Sequence, residues 1–220
     1  MLPNPRVQSD GRPEFRFDRP RPRLNVGWWM ARPLSSSMRP PLKRRSVMRW
    51  HRKPPTLQNL LRTGLDLVIC GSAAGTKSAK EGHYYAGRGN KFWRTLATVA
   101  LTTFELRPAD YARLLEFGIG LTDLVKHQAG SDRAIRFQNA DAERLATKIR
   151  RYAPRFLCFN GKRAAQEFFG GQVEYGLQVA RIGTTHVFVA PSTSAAANRS
   201  WDISHWQEIA RLVGRAEAAV

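Results

Sequence analysis

The chain has 220 residues, 42% of them hydrophobic, with 36 Lys+Arg against 17 Asp+Glu and a formal net charge of +19. That length suits one domain with a proper core, and the charge points to an anionic partner, either nucleic acid or a membrane surface. No apolar run approaches the ~18 residues of a membrane span, so a spanning protein is not expected.

Residues 1–55 come first and differ from the rest. They hold 14 Lys+Arg, 3 Asp+Glu and ten of the 13 prolines. Segments such as "RFDRPRPRLNV" cannot form a continuous helix or a central strand. The expectation is a basic, mostly disordered arm; alternatively, part of it precedes a later start at Met38 or Met48. It lacks the apolar core of a cleavable signal peptide. Residues 56–220 form the body.

The body alternates buried-strand runs with amphipathic patterns. "LDLVIC" (65–70) reads as a strand, "NKFWRTLATVAL" (90–101) as a helix, and "PADYARLLEFG" (108–118) as a second helix between Pro108 and Gly118. "NADAERLATKIRRY" (139–152) is a third helix, with the apolar stripe Ala142, Leu145, Ile149. "RFLCFN" (155–160) is a strand, "GKRAAQEFFG" (161–170) a helix, "THVFVAP" (185–191) a strand and "DISHWQEIARLVGR" (202–215) a closing helix. This alternation predicts a parallel sheet covered on both faces. Ligands then sit at the carboxyl ends of the strands, which singles out the loops 71–89, 190–201 and the one after Phe159. Cys70 and Cys158 lie within strand runs, so both are expected to be packing residues in a reducing compartment.

The loop "GSAAGTKSA" is not a phosphate loop, because Gly71 and Gly75 are too close together. No dinucleotide fingerprint occurs either. The histidines are scattered, with no metal-ligand spacing. "APSTSAAANRSW" can be read in two ways: its hydroxyls and backbone N–H groups suit a phosphate, or they cap a helix. Asp123, in the apolar "GIGLTDLV", is a desolvated candidate base or a helix cap.

"GHYYAGRGNKFWRTL" (82–96), "FGIGLTDLV" (117–125), "IRRYAPRFLCFNGKRA" (149–164), "VEYGLQ" (173–178) and "APSTSA" (190–195) follow the order of matching blocks in another family. Over roughly 57–213 the chain resembles the mismatch-specific uracil/thymine-DNA glycosylases. The resemblance implies a three-layer α/β/α sandwich with a short parallel sheet. It also implies a protein that flips uracil out of duplex DNA and hydrolyses the N-glycosidic bond with no metal or other cofactor. A base-flipping domain of this size needs no partner subunit, so a monomer is expected, with no membrane. A bacterial cytoplasm, or a nucleus, is the compartment this implies.

The family's first motif is Gly-Ile-Asn-Pro-Gly, and its Asn positions the attacking water. Here it is Gly71-Ser72-Ala73-Ala74-Gly75, so Ala73 stands in the Asn position. Ser72 and Ala73 therefore fall in the base pocket. Tyr85 falls where an aromatic ring stacks on the flipped base, Ser78 and Ala79 fall on the pocket wall, and Asn160 lies behind it. Ser192, Thr193 and Ser194 match the phosphate clamp. Lys77 is expected on the DNA side, and Arg199 is the nearest replacement for a missing wedge side chain. Asp123 stands where relatives often carry Asn or Lys, and is the candidate catalytic group left by the loss of Asn at position 73.

Overall fold

The computed structural model describes residues 56–215; the basic arm lies outside the described residues. Five strands form one sheet in the order β2-β1-β3-β5-β4: β1 Leu67–Gly71, β2 Ile119–Asp123, β3 Phe156–Asn160, β4 Gly176–Ile182 and β5 Thr185–Ala190. All neighbours are parallel except β4, which runs antiparallel to β5 through a register shift between Leu177 and Arg181.

Every residue of β1, β2 and β3 is buried. β1 and β3 accordingly read as apolar runs, because both faces are covered. Along β1 the side chains alternate between two cores. Leu67 and Ile69 join α1 (Thr76–Glu81), α2 (Phe92–Thr98) and α5 (Ser204–Leu212) on one face. Val68 and Cys70 join α3 (Asn139–Tyr152) and α4 (Lys162–Phe169) on the other. The result is the expected α/β/α sandwich. Both cysteines are free and fully buried, and burial pushes both thiols above their ordinary range.

α3 occupies the residues its periodicity predicts. Its stripe of Ala142, Leu145 and Ile149 is buried, and Gln138 and Asp141 form a capping box at its start. The closing helix α5 is shorter than its 202–215 pattern, and two further elements depart from the sequence expectation. Pro108–Phe117 is a 3-10 segment, not an α-helix; Leu114 is its only buried residue, so little packing holds wider turns in place. α2 stops at Thr98, three residues before the apolar pattern does, because Ala100 turns left-handed at φ 56°.

β2 is a strand that Gly118 and Gly120 conceal in the sequence. Gly120 admits a close backbone approach: Leu60 and Leu121 exchange two backbone hydrogen bonds of 2.9 Å beside it. A Cβ at position 120 would lie 2.6 Å from the Leu60 carbonyl oxygen and 2.7 Å from Leu65 Cδ1. Gly120→Ala should therefore cost about 2–3 kcal/mol of stability through overpacking. Denaturant unfolding measures it, and an unchanged midpoint would mean that the 60–65 segment yields freely.

Candidate active site

Parallel pairing brings four strand ends into one row. Gly71 pairs with Asp123, Cys70 with Phe159, and Asn160 with Ala190. All three loops singled out in the sequence leave from this edge. Beyond the strands the pairing continues: Leu124 N donates to Gly71 O at 2.8 Å, Val125 N to Ser72 O at 2.9 Å, and Gly130 N to Ala74 O at 2.9 Å. The first loop is thus zipped onto the segment that follows Asp123.

Asp123 is the last residue of β2 and only 3% exposed. The next described helix begins at Asn139, so the helix-cap alternative for Asp123 does not hold. Its Oδ2 accepts from Lys126 Nζ at 3.0 Å, and Lys126 also donates to the Tyr84 hydroxyl at 3.0 Å. Tyr84 in turn donates to Gln58 O at 3.1 Å. Asp123 Oδ1 has no donor among the described residues and faces Gly71: a Cβ at Gly71 would lie 3.0 Å from it. A second polar cluster sits beside this one. Lys148 Nζ, from α3, donates to Thr122 Oγ1 at 3.1 Å and to Asn59 Oδ1 at 3.2 Å. Burial holds this ammonium below the ordinary lysine range.

Tyr85 reaches the same spot from the first loop. One face of its ring stacks on Phe92, with centroids 3.7 Å apart and planes at 21°. The residue stays half-buried, and its backbone is left-handed at φ 52°. Ser78 Oγ accepts from Ala86 N at 3.0 Å and so pins the peptide just after this strained residue. Ser78→Ala should remove that bond, cost about 1 kcal/mol, and loosen Tyr85. Faster amide exchange at Ala86, well ahead of global unfolding, is the expected sign; unchanged protection there would show that Phe92 stacking alone fixes the loop.

The remaining predicted residues divide sharply. Ser72 is buried and Ala73 half-buried, its methyl packing on the core beneath α3 and α4. Ala79 is 6% exposed and belongs to the opposite core. Asn160 spends its amide on Thr193, with Nδ2 donating to Oγ1 and Oδ1 accepting from Thr193 N, both at 2.9 Å. Thr193 is fully buried and in this conformation presents no atom to a phosphate. Ser192 Oγ accepts from Ser194 N at 3.3 Å, and Ser194 Oγ caps the 3-10 turn Ala195–Ser200 by accepting from Ala196 N at 3.4 Å. The capping reading of this run is therefore realised at Ser194. Arg199, in that turn, is exposed. Lys77 is exposed on α1, 3.6 Å from Glu81.

Sequence reasoning missed Lys126, Tyr84 and Lys148. Only Lys126, three residues after a buried acid, left a signal there. A cleft of about 370 Å³ opens behind the Tyr85 loop toward Glu105 and Arg107. It shares Tyr85 with the cluster but is lined by neither Asp123 nor Asn160. Among the described residues no group of three or more His, Cys, Asp or Glu could hold a metal, and no helix is long and apolar enough to cross a membrane.

The fold has a solved counterpart. The solution NMR structure of a Methanosarcina acetivorans protein, described provisionally as a uracil DNA glycosylase, superposes with a TM-score of 0.50 at 21% identity, covering 73% of this chain and 98% of that one. That likeness concerns the fold. The sequence itself matches the profile of the "Uracil DNA glycosylase superfamily" over residues 59–211, which include all five strands and every helix except the last residue of α5. The chain belongs to the uracil DNA glycosylase superfamily, whose members act on DNA.

Proposed function

We propose that this protein is a monofunctional, metal-independent uracil-DNA glycosylase of base-excision repair. Uracil is flipped from duplex DNA onto the open face of Tyr85, and Asp123 orients the water that replaces it at C1′. The observation that carries the reading is the Asp123 carboxylate, buried at the strand-end row with Oδ1 turned to Gly71 beside Tyr85. Glycosidic cleavage passes through an oxocarbenium-like transition state. A fixed carboxylate near the sugar stabilises that positive charge and can take the proton of the attacking water. Loop N–H groups and the Lys126 ammonium offset the charge of the departing base. The net charge of +19 suits a phosphate-dominated DNA partner bound by a single copy of the chain.

Incubation with a uracil-containing duplex, followed by alkali to cleave abasic sites, tests the reading. Strand scission dependent on uracil is expected; an intact strand with retained binding favours the alternative. That alternative is a nearly inactive relative that binds deaminated or damaged bases or abasic sites, and Ala73 in the first motif supports it.

A further inference from the structure

The Tyr85 hydroxyl is buried, and no hydrogen bond of ordinary geometry reaches it among the described residues, although the Asn160 amide lies close enough to act on it. Buried hydroxyls without partners are rare and costly, so each calls for an explanation. If Tyr85 served only as a stacking platform, a phenylalanine would do, and no hydroxyl would need to be desolvated. Its position is specific. A Cβ placed on Gly71 would lie 3.5 Å from Tyr85 Oη and 3.0 Å from Asp123 Oδ1. Both oxygens therefore border the same point above the end of β1. Asp123 Oδ2 is already taken by Lys126, which leaves Oδ1 as the oxygen available to that water.

Burial, and then the neighbouring Asp123 carboxylate, push the Tyr85 phenol well above its ordinary range, while the Asn160 amide pulls the other way. The phenol thus keeps its proton at neutral pH and stands as a donor next to an acceptor. Phe92 stacking and the left-handed backbone fix the ring in this direction.

We propose that the Tyr85 hydroxyl and Asp123 Oδ1 jointly hold the attacking water, making Tyr85 a catalytic residue in addition to a base platform; this rests on the uracil-excision reading above. The water accepts from Tyr85 Oη and donates one hydrogen to Asp123 Oδ1, and its remaining lone pair faces C1′. The bond between C1′ and the base nitrogen breaks, with its electron pair leaving on the base. The water oxygen bonds to C1′, its proton passes to Asp123, and the base anion is protonated from solvent. Two groups, one at the end of β2 and one in the loop after β1, thus do what a single Asn would do from position 73.

Single-turnover excision from a uracil duplex by the full chain tests this with Tyr85→Phe, Asp123→Asn and the double variant. Tyr85→Phe should slow cleavage about 10- to 100-fold while leaving duplex affinity within about threefold, because the ring remains. The double variant should be no slower than Asp123→Asn alone, since both groups act on one water. Wild-type cleavage by Tyr85→Phe overturns the proposal, and so do losses that multiply in the double variant. A loss that appears in affinity instead of rate places the hydroxyl on the base and overturns it too. Asp123→Asn cleaving at the wild-type rate is a different failure, because it removes the uracil-excision mechanism itself. Should Tyr85→Phe lower the melting temperature, Tyr85→Trp, which keeps an aromatic platform without the hydroxyl, must show the same rate loss at retained affinity.

Discussion

Asp123→Asn is expected to lose about 10²–10⁴-fold in single-turnover uracil excision, the usual worth of a positioned acid–base group, while binding to a uracil duplex stays close to wild type. The substitution is nearly isosteric, and the amide oxygen can still accept from Lys126, whose ammonium sits 3.0 Å from Oδ2. What disappears is the negative charge beside the sugar and the ability to take a proton. Restoring Asn at position 73 in that background should recover part of the rate. Ala73 is half-buried against the lower core, so the longer side chain must point upward to act. If Asp123→Asn cleaves at the wild-type rate, the carboxylate is structural, and stacking together with the DNA's own phosphates does the work.

The parts of this architecture that can be read in the sequence are those in which one residue type repeats under one constraint. β1, β3 and β5 are dominated by apolar residues because each lies between two helical layers. α3 shows its bounds because a capping residue and a wide apolar stripe agree. β2 does not stand out, because Gly118 precedes it and Gly120 interrupts it, and the reason for Gly120, the passage of Leu60, lies 60 positions earlier in the chain. β4 is an edge strand whose burial alternates, but Leu177 and Val179 fall on its exposed side, so its apolar residues do not mark the face that packs. At the site, Asp123 is legible as an acid inside an apolar segment. The Asn160–Thr193 pairing spans 33 residues, and the Lys126–Tyr84 contact spans 42. Such pairs exist only once the sheet has aligned its strand ends. That is why the sequence points to Thr193 as a surface phosphate contact while the fold buries it.

The Asp123–Lys126 pair should carry stability as well as chemistry, and the two can be separated. Lys126→Met removes the cation at hydrogen-bond distance from a carboxylate whose side chain is 4% exposed. Breaking a fully buried pair from one side costs about 3–5 kcal/mol, most of it the penalty of the charge left behind. Here the side chain of Lys126 is itself 25% exposed, so water can replace part of the lost interaction. A loss of about 1–3 kcal/mol is the scaled expectation. Tyr84 also loses a donor, but its own bond to the Gln58 carbonyl survives, which limits that contribution. The origin of the loss fixes the sign of the second step. If an uncompensated charge is responsible, Asp123→Asn in the Lys126→Met background should restore stability, because a neutral amide needs no cation. Urea unfolding of the two single variants and the double variant gives the coupling directly. A double variant no more stable than Lys126→Met would mean that packing by the lysine stem, and not charge, holds this corner together. Excision should fall in Lys126→Met even where the protein is fully folded, since the carboxylate is then free to swing away from Gly71. Lys126→Arg, which keeps the charge, should retain most of the activity.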